Sequence, residues 1–118
     1  MDLIEFKRNS CRGDLYPALT VNTKGALRFN KAAVDAYGLK AGDRVSFFQD
    51  KKQPIDWYIK FGEGAIMRKP GTDNGSLVFN FVSVARMILS AVKKDKASIR
   101  LATEPVDGGY YAILTRSA

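Results

Sequence analysis

The chain has 118 residues, a formal net charge of +7 from 19 Lys or Arg against 12 Asp or Glu, and no histidine. Without histidine, Ser-His-Asp and Cys-His nucleophiles and imidazole zinc sites are excluded. The single cysteine, Cys11, excludes an internal disulfide and suits a reducing compartment such as the cytoplasm. An excess of positive charge favours a polyanionic partner, or serves only to keep a small protein in solution.

The length and 46% apolar content predict one compact domain over residues 1–118. No stretch approaches the ~18 apolar residues that span a bilayer, and residues 1–10 lack the apolar run of a signal peptide. We therefore expect no membrane partner. The 12 carboxylates are scattered and form no obvious pair, so no enzyme site, metal site or cofactor is indicated.

The first predicted elements are a β-hairpin and a short helix. Apolar and polar residues alternate over 18–22 and over 26–30, with the tight turn Thr23-Lys24-Gly25 between them. A helix is predicted over 31–37, because an asparagine precedes it as N-cap and a glycine follows it as a left-handed stop.

The rest of the chain predicts further strands and one longer helix. The strands are predicted at 44–48, 56–61, 65–69, 76–80, 97–102 and 110–115. The helix is predicted over 81–92, followed by a cluster of lysines that opposes the negative end of its dipole. Its apolar face is expected to consist of Val84, Met87, Ile88, Ala91 and Val92.

The two halves of the chain share a pattern. At an offset of 50, five residues recur within 13 positions: Leu27, Phe29, Asn30, Val34 and Leu39 return as Leu77, Phe79, Asn80, Val84 and Leu89. After a four-residue insertion the offset becomes 54. Either the halves are pseudo-repeats, over 18–61 and 65–115, or any two ββαββ units share this spacing. The predicted fold class is α+β, a tandem ββαββ repeat forming a β-barrel or a strongly curved antiparallel sheet with two helices.

Three short motifs stand in a familiar order in the first half: Lys24-Gly25 in a hairpin turn, Gly38-Leu39 after a short helix, and Gly42-Asp43 before a strand. With them, residues 19–61 resemble the AbrB/MazE/SpoVT swapped-hairpin family of DNA-binding proteins. The family interlaces two ββαββ units into one barrel, usually as a dimer. The resemblance implies that fold, either within one chain, as in MraZ-like members, or as a homodimer. The family's proline at the helix entrance is Asn30 here.

The resemblance implies a non-enzymatic protein that binds double-stranded DNA as a transcriptional regulator or antitoxin, with DNA preferred over RNA. Basic residues of the hairpin, the helix start and the following strand would contact phosphates: Lys24, Arg28, Lys31 and Arg44. Arg8 and Arg12 would form an arm in the minor groove. The alternative for Arg28 is an ordinary position on the solvent face of a strand.

A second interpretation is that the chain binds single-stranded nucleic acid. From Arg44 onward the order ββββα resembles the PUR-alpha and Whirly class of single-strand binders. Tyr58 and Lys60 share the outward side of a predicted strand, where the ring would stack a base and the amine would hold a phosphate, while Trp57 belongs to the core. Lys51 and Lys52 would extend this basic strip. A third interpretation is a protein-interaction module whose strand edges pair with a partner protein or with a second copy of the chain.

Overall fold

The computed structural model describes residues 16–71, 75–106 and 108–115. In chain order the elements are β1 (Ala18–Asn22), β2 (Ala26–Phe29), α1 (Lys31–Tyr37), β3 (Arg44–Gln49), β4 (Trp57–Phe61), β5 (Ala65–Ile66), β6 (Leu77–Asn80), α2 (Val82–Val92), β7 (Lys96–Arg100) and β8 (Tyr111–Ile113). Each predicted strand and helix is confirmed in place, although β5 and β8 are shorter than the strands predicted over 65–69 and 110–115. Cys11 and the proposed arm of Arg8 and Arg12 lie outside the described residues.

The described strands form two four-stranded antiparallel sheets. Their orders are β6-β2-β1-β7 and β5-β3-β4-β8, which confirms an α+β fold with two helices. The predicted closed barrel or single curved sheet is not what the described strands form. The two sheets meet through isolated bridges, Arg68 with Val78 and Leu101 with Ile113. Pairing stays this sparse because the strands nearest these corners are short, two residues in β5 and three in β8.

The core lies between the inward faces of the two sheets. Phe29 and Phe61 meet edge to face with ring centroids 6.0 Å apart, and Phe47 lies 5.9 Å from Phe79, so aromatic rings join one sheet to the other. Trp57 is 3% exposed, which confirms its predicted place in the core. Burial of these large side chains is the main source of stability in a chain of this size.

Asn30 joins helix α1 to strand β1, and the predicted cap is confirmed. Its side-chain oxygen accepts the backbone N–H of Ala33 at 2.9 Å and that of Ala18 at 3.1 Å. Its amide nitrogen donates to the carbonyl of Tyr16 at 2.8 Å. Gly38 ends the helix in the left-handed conformation, with φ 65°. One residue therefore caps the helix and fixes the entry of the hairpin.

Helix α2 buries a different stripe from the predicted one. Val84 and Ile88 are buried as expected, but Ala85 and Leu89 complete the stripe, and Met87 is 48% exposed. The helix packs on β1, β2 and β7, so its contact with these strands decides which of two adjacent apolar stripes faces inward.

Candidate nucleic-acid interface

The outward side of the first sheet carries a row of cations. The strand register places Arg28 opposite Thr20 and Thr20 opposite Ser98. Lys96 and Arg100 flank Ser98 at two residues on either side, so they point the same way. All three cations are exposed, because the buried residues of these strands alternate with them.

A fourth cation extends this row at the far edge. Val78 lies opposite Arg28 and forms a bridge to Arg68, which is exposed. Among the described residues of these four strands, no carboxylate occupies an outward position. We call Arg28, Arg68, Lys96 and Arg100 the basic face. Neighbouring strands lie about 4.8 Å apart, so the basic face is roughly 19 Å wide from Arg68, beside β6, across β2 and β1 to β7.

Tyr16 supports the basic face at one end. The guanidinium carbon of Arg100 lies 3.9 Å from the centroid of the Tyr16 ring, a cation–π contact. The Tyr16 carbonyl accepts the side-chain amide of Asn30, which holds this residue beside β1. Arg100 was not among the binding residues predicted from the sequence. Its spacing of two and four residues from Ser98 and Lys96 in a predicted strand does indicate that all three lie on the same side.

The four basic residues predicted for duplex binding do not all lie together. Arg28 lies on the basic face, and Lys24 is exposed in the adjoining β1–β2 turn. Lys31 is exposed at the start of α1, and its amine forms an ion pair with Asp35 at 2.9 Å. Arg44 is exposed at the start of β3, in the second sheet. The fold thus supplies Arg68, Lys96 and Arg100 as the close neighbours of Arg28.

The second sheet carries an aromatic surface on its outward side. Phe48 lies opposite Tyr58, and the ring of Phe48 meets that of Tyr110 edge to face at 5.0 Å. The amine of Lys60 lies 5.0 Å from the Tyr110 ring centroid. We call Phe48, Tyr58, Lys60 and Tyr110 the aromatic face.

A shallow depression of about 330 Å³ lies on this aromatic face, lined by Phe48, Tyr58, Tyr110, Val106, Gln49 and Asp50. One carboxylate oxygen of Asp50 accepts the backbone N–H of Lys52 at 2.8 Å, so this acid helps to shape the β3–β4 loop. Lys51 and Lys52 are exposed in that loop beside the depression.

The lysines after α2 border a separate cleft. It has a volume of about 480 Å³ and is lined by Thr23, Arg86, Leu89, Ser90, Lys93, Lys94 and Asp95. The backbone N–H of Lys93 reaches the carbonyls of Leu89 and Ser90, as expected for a residue that ends a helix. The cleft opens beside the β1–β2 turn, because Thr23 of that turn is one of its lining residues.

Tyr37 is a buried tyrosine with a structural role. Its hydroxyl donates to the carbonyl of Ala102 at 2.5 Å, and its ring lies 5.1 Å from that of Phe61. Burial, with a smaller effect of Tyr111 nearby, raises the pKa of Tyr37 well above its usual range. The phenol therefore stays neutral and ties α1 to the chain beyond β7.

Within residues 16–71, 75–106 and 108–115, no cluster of three or more Cys, Asp or Glu side chains is arranged to hold a metal ion. In the same part of the chain, no helix is both long and apolar enough to cross a bilayer. No protein-family model, curated protein or solved structure matches this chain.

Proposed function

We propose that this protein binds double-stranded DNA without catalysing a reaction, in the manner of a transcriptional regulator or antitoxin. The observation that carries the proposal is the basic face: four exposed cations on one side of a sheet with no outward carboxylate among them. Lysine and arginine that neutralise phosphates release counterions, which drives association with duplex DNA. Arginine can also contact a guanine edge through two hydrogen bonds.

We further propose that the halves are interlaced repeats related by a two-fold axis, as in the swapped-hairpin barrel. The pairing of β2 with β6 supports this. Leu27 lies opposite Phe79 and Phe29 opposite Leu77, while Leu27 corresponds to Leu77 and Phe29 to Phe79 at an offset of 50. Exchange of the two halves therefore leaves this pairing unchanged.

The pairing of β4 with β8 has the same property. Trp57 lies opposite Ile113 and Ile59 opposite Tyr111, whereas the offset of 54 makes Trp57 correspond to Tyr111 and Ile59 to Ile113. Two strand pairs, one in each sheet, are thus self-complementary. The single bridges at the two corners would then mark where the two sheets of the interlaced unit meet.

A pair of glycines gives independent support. Gly25 and Gly75, at an offset of 50, both have positive φ, 90° and 81°. A Cβ on Gly25 would meet Val82 at the start of α2, and a Cβ on Gly75 would meet Lys31 at the start of α1. The turn of each half therefore packs on the first turn of the other half's helix.

Duplex binding is tested by fluorescence anisotropy with a labelled 20-base-pair duplex between about 50 and 200 mM salt. Four phosphate contacts predict a slope of log K against log salt of about −3.6, and Arg28→Ala should reduce its magnitude by about 0.9. The matched control is Lys40→Ala, which removes an exposed cation from a turn outside the sheets. Absence of binding at 50 mM salt, or equal behaviour of the two variants, would refute the proposal.

A second candidate function is single-strand binding on the aromatic face, where Phe48, Tyr58, Tyr110 and Lys60 lie together. Base stacking on an aromatic side chain contributes about 1–3 kcal/mol per base, so Tyr58→Ala should weaken oligo(dT) binding roughly five- to 150-fold. Met87→Ala, at an exposed apolar residue of α2, is the control. If neither oligo(dT) nor duplex binds at 50 mM salt, a protein partner becomes the better hypothesis.

A further inference from the structure

We propose that the duplex target of this chain is asymmetric, and that a single chain occupies it in one orientation. The inference rests on the proposed duplex binding and deepens it by specifying the class of target. It follows from a difference between the strand pairing and the charges. The pairing of β2 with β6 is unchanged when the two halves are exchanged, whereas the cations of the basic face do not exchange with other cations.

Arg28 lies at the position where the two-fold axis would emerge on the basic face. It is directly opposite Val78, its own counterpart at an offset of 50. Identical halves would place two arginines face to face, and like charges directly opposite each other on neighbouring strands are unfavourable. The chain instead has one cation and one apolar side chain at this point.

The other cations of the basic face also lack charged counterparts. The offset of 54 makes Lys96 correspond to Gly42 and Arg100 to Ser46. The bridge between Arg68 and Val78 matches the pairing of Thr20 with Arg28, so Arg68 corresponds to Thr20. Exchange of the two halves therefore moves every cation of the basic face onto a neutral residue.

This distribution determines what kind of duplex fits. A protein with two-fold symmetry reads a palindromic site, because identical contacts fall on both strands. Here the basic face offers different contacts to the two strands, so reversing the duplex changes the contacts made. Both halves of the fold belong to one chain, so no second copy is needed to complete the face.

The test is a selection of bound duplexes from a library with about 16 random base pairs, at a salt concentration where the intact protein binds. The basic face of roughly 19 Å would cover about six base pairs, so the random region is long enough. The expected motif has no inverted repeat, and native mass spectrometry should give one chain per site. Palindromes built from either half of the motif should bind roughly tenfold more weakly.

A palindromic motif, two chains per site, or a bound pool without any enriched motif would each overturn the proposal. Failure of all duplexes to bind would instead refute duplex binding itself, so the two failures are distinguishable.

The exchange variant Arg28→Val/Val78→Arg tests the role of the axis. It moves the cation from strand β2 to strand β6, across the axis. The number of cations is unchanged, so the salt slope should stay the same, while the bases preferred at this point of the motif should change. Val78→Arg alone should steepen the slope by about 0.9, because it adds a cation. Met87→Arg, at an exposed residue of α2 outside the basic face, should leave both the motif and the salt slope unchanged. An unchanged motif in the exchange variant would contradict the asymmetric contact.

Discussion

Gly25 combines two constraints that an added methyl group would violate. Its φ is +90°, and a Cβ would lie 2.4 Å from a methyl carbon of Val82 and 2.9 Å from the Val82 Cα. Left-handed backbone costs about 1–2 kcal/mol for a residue with a side chain, and overpacking adds about 1–3 kcal/mol. We expect Gly25→Ala to lower the free energy of unfolding by about 2–5 kcal/mol in urea denaturation.

The control for this prediction is Gly38→Ala. Gly38 also has a positive φ, 65°, but a Cβ there would meet nothing within 4 Å. Only the backbone cost remains, so the loss should be about 1–2 kcal/mol. Equal losses in the two variants would mean that contact between the hairpin turn and α2 contributes nothing.

For single residues, the sequence predicts local features such as helix caps better than it predicts which residues of distant strands lie together on one surface. The caps at Asn30 and Gly38 depend on neighbours a few positions away, and both were predicted. The outward position of Arg28 follows from alternation within its own strand. Its proximity to Arg100 depends on β7 pairing with β1, a contact between distant parts of the chain that no local pattern encodes.

Among the elements, helix α2 shows how packing against the sheet decides which apolar side chains are buried. Ile88 is fully buried, whereas Met87, its neighbour, is 48% exposed. Ile88→Ala should cost about 2–5 kcal/mol, because it removes buried methylene groups and leaves a cavity. Met87→Ala should change the free energy of unfolding by less than about 0.5 kcal/mol. Urea unfolding of both variants tests this, and a loss from Met87→Ala as large as that from Ile88→Ala would restore the stripe predicted from periodicity.

The link between α1 and the chain beyond β7 should depend on pH. The folded-state pKa of Tyr37 is raised above its usual value of 10.0, so the folded protein keeps the phenol proton that the unfolded chain releases. Stability from Tyr37 is therefore complete below pH 10 and falls as the pH rises beyond it. Tyr37→Phe should lose about 1 kcal/mol at pH 8 through the missing hydrogen bond to Ala102.

The melting temperatures of the intact protein and of Tyr37→Phe, followed from pH 8 to 11, check the effect of Tyr37. We expect the intact protein to lose its advantage above pH 10, so that the two curves converge. Parallel curves over this range would show that the Tyr37 hydroxyl titrates as it does in the unfolded chain.

For the whole molecule, composition and alternation predicted an α+β fold, but they could not assign strands to sheets. Leu27 pairs with Phe79 and Trp57 with Ile113, so the decisive contacts join the two halves of the chain. Which partners meet is decided by the shared core and not by local propensity. For the same reason the sequence suggested a barrel, whereas short edge strands leave two sheets joined at single bridges.

These contacts between halves predict that neither half folds alone. Cleavage at a protease site inserted between Gly62 and Gly64, at the boundary of the two halves, would leave β1 without β7, β2 without β6, β3 without β5 and β4 without β8. Each isolated fragment would expose the inward face of a sheet, and its small remaining core should not offset the loss of chain entropy. We expect the separated fragments to show no cooperative urea transition by circular dichroism, and an equimolar mixture to recover one. The uncleaved chain with the same insertion is the control, since it shows whether the insertion alone is tolerated. A fragment that unfolds cooperatively by itself would mean that the halves are independent units, and the interlaced arrangement would then be wrong.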